Sequence, residues 1–289
     1  MIESTLTPGS REHPRRILTI ILLAASSCAA PPEPSIPSDL GAASSPEASG
    51  GAWWQPAPGT MLQWQLDDLP ADLAIEADAY DLDLFETPAA TVAALHAQGR
   101  RAICYVSAGS WEDWRPDAEQ VPAALLGNEY EGWPGERWLD IRQIDSLAPV
   151  LLARLDLCRL KGFDAVEPDN IDGYDNDTGF PLTFEDQLRF NRWLAAEAHA
   201  RGLSIGLKND ADQAAALLPD YDWALTEDCF DQGWCGQLSP FVRAGKAVFA
   251  VEYTDTGITL DEFCPRAAAL GFAAMLKSRG LDAHREACT

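Results

Sequence analysis

The sequence predicts an α/β fold, a single domain closed into a TIM-type (β/α)8 barrel, and three observations carry that expectation. From about Ala52 to Thr289, a length that suits one such barrel, eight short apolar segments alternate with helical patterns. Four of the helical patterns stop at a glycine beside a basic residue and hand over to the next apolar segment. Polar and acidic residues gather just past the apolar segments, as they do on the active face of a barrel.

The chain opens with a different kind of segment. Arg11, Arg15 and Arg16 precede an apolar run, Ile17 to Ala25, that is too short to span a bilayer. Ala25-Ser26-Ser27-Cys28 looks like a bacterial lipobox, so residues 1–27 read as a lipoprotein-type signal peptide with Cys28 as the lipidated N-terminus. Ala25 stands where leucine is more usual, which leaves ordinary secretory cleavage as the alternative. Residues 28–51 are rich in Pro, Ser, Ala and Gly, bury nothing, and read as a flexible tether. Export to the cell envelope, by lipid anchor or by secretion, is the expected location, and a lipid on Cys28 is the one expected membrane contact.

Residues 52–289 form the barrel domain. The expected strands are Met61–Leu66, Leu73–Ala77, Ala102–Ser107, Asp164–Glu167, Ser204–Leu207, Trp223–Thr226, Ala247–Val251 and Ala273–Leu276. The clearest helices are Thr91–Gln98, Leu147–Leu160, Phe184–Ala200 and Phe241–Ala244. They are closed by Gly99-Arg100, Lys161-Gly162, Arg201-Gly202 and Gly245-Lys246. The segment from Trp111 to Asp145, rich in Trp, Pro and Gly, interrupts the alternation, and Trp138–Ile141 reads as an extra strand inside it. Beyond Cys28, six cysteines remain, an even number that suits disulfides in an exported chain. Cys229–Cys235 would close a short loop, Cys264–Cys288 would bracket the last strand, and Cys104–Cys158 follows by elimination.

Asp and Glu total 45 against 21 Lys and Arg, a formal net charge of −24 that argues against nucleic acid as a partner and suits a cationic one. No Gly-rich phosphate or dinucleotide fingerprint occurs, the histidines His96, His199 and His284 are isolated, and no metal or cofactor is expected. A monomer is expected.

What remains is carboxylates and aromatics. Glu167-Pro168-Asp169-Asn170-Ile171-Asp172 follows the fourth strand, and acids crowded this closely should titrate apart. Gln65 and Asp67 follow strand one, and Tyr105 and Ser107 end strand three. Lys208, Asn209 and Asp210 follow strand five, Glu227 and Asp228 strand six, and Glu252 and Tyr253 strand seven. A helix cap would explain Asp67 or Asp210 equally well, and Asp172 reads as a loop or capping residue. Ten tryptophans, among them Trp64 and Trp111, offer faces on which sugar rings stack. Paired carboxylates with aromatics describe a glycoside hydrolase.

Five motifs sharpen that reading: Trp133-Pro134-Gly135-Glu136-Arg137-Trp138-Leu139-Asp140-Ile141, Lys161 through Asn170 (KGFDAVEPDN), Gly206-Leu207-Lys208-Asn209, Thr226-Glu227-Asp228-Cys229-Phe230, and Gly245-Lys246-Ala247-Val248-Phe249. In order and spacing, from about Trp54 to Cys288, they resemble glycoside hydrolase family 114, the endo-α-1,4-polygalactosaminidase-like proteins with a TIM-type barrel. The resemblance implies cleavage of an α-1,4-linked, cationic amino-sugar polysaccharide. It implies Asp169 and Glu227 as the catalytic pair, with Glu167 competing for the place of Asp169, and substrate contacts from Lys208, Asn209 and Glu252. Thr226-Glu227-Asp228 stands where the family suggests Asn-Glu-Gln, so the neighbours of Glu227 are in question. Tyr105, Trp64, Asp67 and Trp111 complete the expected substrate contacts. A retaining or inverting outcome stays open, and a surface lipoprotein that binds such polymers without cutting them is the alternative.

Overall fold

A computed structural model describes residues 53–67 and 73–288, so the expected signal peptide, Cys28 and the tether lie outside the described residues. In chain order the strands are β1 (Leu62–Trp64), β2 (Ala79–Asp83), β3 (Arg101–Ser107), β4 (Ser110–Glu112), β5 (Leu126–Glu129), β6 (Glu136–Leu139), β7 (Ala165–Asp169), β8 (Ser204–Lys208), β9 (Trp223–Glu227), β10 (Val248–Tyr253), β11 (Ala273–Lys277) and β12 (Glu286–Ala287). The α-helices are α1 (Ala89–Ala97), α2 (Ile144–Lys161), α3 (Phe184–Ala200), α4 (Ala214–Leu217), α5 (Cys229–Gln232), α6 (Ser239–Arg243) and α7 (Leu260–Leu270).

Strands β1, β2, β3, β7, β8, β9, β10 and β11 pair in that order, all parallel, and curl into a TIM-type barrel; β12 adds an antiparallel edge to β11. The chain after β11 fills the seam beside β1. Leu66 N–H donates to Leu281 O at 2.9 Å, and Arg285 Nη1 to Leu62 O at 2.9 Å. The excursion between β3 and α2 is a small antiparallel sheet, ordered β4-β6-β5, that stands over the strand ends.

The glycine stops work as the sequence implies. Gly162 caps α2 at φ +94°, and Gly99, Gly202 and Gly245 adopt the same left-handed turn after α1, α3 and α6. Thr183 with Asp186 and Thr259 with Glu262 form capping boxes that start α3 and α7. The helices bury an outer apolar layer against the sheet, and the three expected disulfides are all formed. Cys104–Cys158 ties β3 to α2, Cys229–Cys235 closes the loop after β9, and Cys264–Cys288 ties α7 to the tail.

One strand differs from expectation. The second strand is Ala79–Asp83, not Leu73–Ala77. The apolar Leu73 is buried in the outer layer, but in a left-handed turn at φ +49°, and the carbonyls of Leu73 and Ile75 accept from the Tyr80 hydroxyl. The true strand was masked by Asp81 and Asp83, which alternation turns toward the barrel axis instead of toward solvent. The extra strand expected at Trp138–Ile141 is β6, shifted two residues toward the N-terminus.

Candidate active site

Side chains alternate across each strand, and the inward row changes character along the barrel. At its lower end Leu62, Ala79, Ile103, Ala165, Leu225, Val251 and Met275 share one apolar cluster with Trp64, Trp223 and Phe249. Two residues further up the strands the inward positions become polar: Asp81, Tyr105, Glu167, Lys208, Glu227, Tyr253 and Lys277. β7 adds Asp169 one pleat higher. A functional cluster therefore sits at the C-terminal end of the strands, on a dry apolar floor.

Lys208 is its centre. Its side chain is 1% exposed, yet Nζ meets three carboxylates: Asp169 Oδ1 at 2.8 Å, Glu167 Oε1 at 3.0 Å and Glu227 Oε2 at 3.1 Å. Burial alone would push the ammonium down, but the three acids raise it well above the ordinary lysine value, so it is a permanent cation. Its Nζ also lies 4.7 Å over the ring of Trp64, which is 1% exposed. Trp64 thus supports Lys208 from below and offers no free face to a sugar.

The two expected catalytic acids are the open ones. The side chains of Asp169 and Glu227 are 19% and 25% exposed, and that of Glu167 is 0%. Their contacts to one nitrogen hold Asp169 Oδ1 and Glu227 Oε2 within about 5.9 Å of each other. Asp169 also accepts from Tyr105 Oη at 2.9 Å and from the Asn170 backbone N–H at 2.8 Å. Glu227 accepts from Asn209 Nδ2 at 3.2 Å and from the Tyr253 hydroxyl, while Asn209 Oδ1 takes the Glu227 N–H at 3.0 Å. Asn170, Asn209 and Asp228, just past β7, β8 and β9, all have positive φ, at 62°, 52° and 53°. Such strained turns aim strand-end groups inward and persist only where neighbours hold them. Asp228 turns away to pair with Arg279 at 2.9 Å, so the departure from the family pattern there leaves the donors to Glu227 in place.

Several residues that sequence reasoning did not select belong to this field. Asp81, fully buried on β2, meets Glu167 carboxyl to carboxyl. It was missed because the strand carrying it was misplaced. Tyr253 was visible as a strand-end residue, but nothing marked it as the donor to Glu227. Asp172 stands where expected, in the loop after β7 at the N-cap position of the short turn Gly173–Asp175, though its side chain makes no cap bond, and burial with the charge of Asp169 pushes its carboxyl up to about 7. Burial and the charges of Asp169 and Asp172 likewise raise the Tyr130 phenol, which reaches this field from the small sheet and packs against Trp138 at 4.7 Å between ring centroids. Asp210 forms no helix cap; it accepts from Asn191 Nδ2 at 2.9 Å, and burial with the neighbouring Asp172 charge lifts it to about 8.

Two expected substrate contacts are turned elsewhere. Glu252 lies between the inward Val251 and Tyr253, so the pleat points it outward, where it accepts the Phe230 and Asp231 backbone N–H groups at 2.8 and 3.1 Å at the start of α5. Trp111 points to the far face of the small sheet, donates Nε1 to Ala118 O at 2.9 Å, and lines a cavity with Val121, Leu147 and Leu151 against α2. Asp67 stands exposed just past β1. Among the described residues, one group has the spacing of metal ligands, Cys229, Cys235 and Glu252, and its two sulfurs are bonded to each other. No helix of the described residues is long and apolar enough to cross a membrane.

Known proteins share this arrangement. The profile of glycoside-hydrolase family GH114 matches residues 43–289. The crystal structure of Aspergillus fumigatus Ega3 in complex with galactosamine superposes with a TM-score of 0.78 at 39% identity, covering 82% of this chain and 98% of that one. The glycoside hydrolase domain of PelA from Pseudomonas aeruginosa shares the fold at 18% identity and a TM-score of 0.61, over 78% of this chain and 97% of that one. An uncharacterized protein of Deinococcus radiodurans is 30% identical over 74% of this chain and 75% of its own length. With its barrel, its strand-end acids and the profile match over nearly all of its folded part, this chain belongs to glycoside-hydrolase family GH114 and is a glycosidase.

Proposed function

We propose that this glycosidase is exported and cleaves α-1,4-linked, galactosamine-containing polysaccharide by a two-carboxylate, retaining mechanism. Asp169 is the nucleophile and Glu227 the acid/base. One observation supports the mechanism: the two accessible carboxylates lean on a single ammonium, which keeps their lysine-facing oxygens, Asp169 Oδ1 and Glu227 Oε2, within about 5.9 Å of each other. Carboxyl groups about 5–5.5 Å apart suit retention, and the wider gap of about 6.5–9.5 Å needed to seat a water suits inversion.

Asp169 has donors on both oxygens and none of its own, the setting of a group that works as an anion. It attacks the anomeric carbon while protonated Glu227 gives its proton to the departing glycosidic oxygen. The glycosyl–Asp169 ester is then opened by water, whose proton returns to Glu227. The substrate class rests on the likeness to Ega3, whose crystal structure holds galactosamine, and on charge. A chain with net charge −24, and with Asp172 beside the pair, suits a polymer of ammonium-bearing sugars. Export rests on the sequence of residues 1–27 and on three disulfides, which suit an oxidising compartment.

Partly deacetylated galactosaminogalactan is the test substrate. Glu227→Gln and Asp169→Asn should each lower release of reducing ends by about a thousandfold or more. Anomeric NMR of the first product should show the α configuration. Full activity in both variants would overturn the reading, and polymer binding without cleavage by the unaltered protein would leave a binding protein instead.

A further inference from the structure

Behind the open pair lies a second, closed pair of acids. Asp81 on β2 and Glu167 on β7 are both 0% exposed. Apart from Lys208 Nζ, 3.0 Å from Glu167 Oε1, no donor among the described residues reaches any of their four carboxyl oxygens. Two buried anions without donors would be very costly at this distance from water. Two carboxyls can satisfy each other only if one carries a proton, and the surroundings decide which. Glu167 touches an ammonium that stays charged; Asp81 touches no cation among the described residues. The anion therefore belongs on Glu167 and the proton on Asp81. Burial first, and the facing Glu167 charge second, push Asp81 well above the usual carboxylate range; burial raises Glu167 as well, but there the touching Lys208 opposes the rise.

We infer that Asp81 is held as a neutral carboxylic acid that donates to Glu167, and that by fixing Glu167 as an anion it positions the Lys208 ammonium on which Asp169 and Glu227 both depend. Asp81 is a positioning residue, since it is sealed from the cleft and touches no substrate. The strands around it present Trp64 on β1, Tyr105 on β3, Asp169 on β7, Glu227 on β9 and Tyr253 on β10, while the inward Lys277 on β11 donates to the Asp282 carbonyl at 2.6 Å. Of these Asp169 and Glu227 are the carboxyl groups, and both are already in contact with Lys208. If Asp81 lost its proton, a fourth carboxylate would face a single cation, and Lys208 would be drawn off the catalytic pair.

The inference rests on the proposed activity for its kinetic readout but not for its spectroscopic one. Asp81→Asn supplies an N–H in place of the O–H, so kcat on galactosaminogalactan should stay within about threefold of the parent near pH 6. Asp81→Ala removes the donor and should lower kcat about tenfold or more with KM nearly unchanged. Infrared spectra of the folded, unaltered protein near neutral pH should contain the C=O stretch of a buried protonated carboxyl that Asp81→Asn abolishes. An Asp81→Asn enzyme as damaged as Asp81→Ala, or an infrared spectrum in which no such band disappears, would overturn the inference even if Asp81→Ala fails to fold. If the unaltered enzyme released no product, the proposed substrate would be wrong, and the infrared result would still decide the state of Asp81.

Discussion

Asp169 and Glu227 share one cation: Lys208 Nζ stands 2.8 Å from the first and 3.1 Å from the second. The lysine does more than balance charge. By touching both acids it fixes the gap in which a sugar ring must sit, and the Trp64 ring beneath it prevents it from sinking. Removing one partner of such a buried ion cluster costs about 3–5 kcal/mol, because the remaining charges are left facing each other. Lys208→Met should therefore lower kcat by about a hundredfold or more. Its melting temperature, depressed at pH 7, should recover as pH falls toward 5 and the stranded carboxyls take up protons. A scan by calorimetry across that range checks it; a depression that does not shrink at low pH would mean that repulsion is not the cause.

Each acid also has its own phenol. Tyr105 Oη donates to Asp169 Oδ2 at 2.9 Å, and Tyr253 donates to Glu227 with the Arg279 guanidinium 4.0 Å over its ring. Burial, with the facing carboxylates, raises both phenols well above the ordinary tyrosine value, so they remain donors at any working pH. Tyr105→Phe and Tyr253→Phe should each reduce kcat about tenfold, the worth of one hydrogen bond to a charged group, with stability nearly unchanged. Combining them with Asp169→Asn and Glu227→Gln in double-mutant cycles should show coupling only within each phenol–carboxylate pair.

Much of this was legible in the sequence, and what was not has a physical cause. Asp169, Glu227, Lys208, Asn209 and Tyr105 lie at strand ends whose apolar bodies announce them, and the structure brings all five together. Glu252 was misread because a strand end alone does not fix which face a side chain takes; one step of the pleat moves it from the cleft to α5. Asp81 was missed for the opposite reason. A strand whose inward face is acidic looks like a loop, so Leu73–Ala77 outweighed Ala79–Asp83. Trp64 and Trp111 had the right residue type for sugar stacking, but composition cannot separate a tryptophan that packs from one that is offered to a ligand.

The site should also make the fold pH-sensitive. Asp210 rises to about 8, chiefly through burial and then through the Asp172 charge. Its unfolded value is near the ordinary 3.9, so the folded state binds the extra proton between those limits. The stability this contributes is present in full below about pH 4 and is lost as pH climbs through 8. Asp210→Asn removes the titration while still accepting from Asn191 Nδ2. The melting temperature of the unaltered protein should fall between pH 5.5 and 8.5 by roughly 10 °C more than that of Asp210→Asn, the shift expected of about 3 kcal/mol in a domain of this size. Equal slopes would mean that Asp210 is already ionised throughout.

The last dependence runs from the small sheet to Asp169 through the backbone. Glu136 on β6 accepts from the Ser110 hydroxyl and, at 3.0 Å, from Asn170 Nδ2, which also reaches Ser107 Oγ at 2.9 Å and Ser110 Oγ at 3.0 Å. Held by its side chain, Asn170 keeps φ at +62° and directs its N–H at Asp169 Oδ1. The turn fits only because residue 109 is glycine: a Cβ there would lie 1.7 Å from the Asn170 carbonyl oxygen, a backbone atom that cannot yield without releasing Asn170. Gly109→Ala should thus destabilise the fold by about 2 kcal/mol or more and abolish most activity. Glu136→Leu separates the two effects. It leaves Gly109 intact but takes away the acceptor that Asn170 Nδ2 and the Ser110 hydroxyl share, loosening the hold on Asn170, so it should lower kcat through Asp169, whereas Glu136→Gln keeps a carbonyl oxygen for both donors and should restore most of it. A Glu136→Gln variant no better than Glu136→Leu would show that the charge of Glu136, and not its hold on Asn170, is what Asp169 requires.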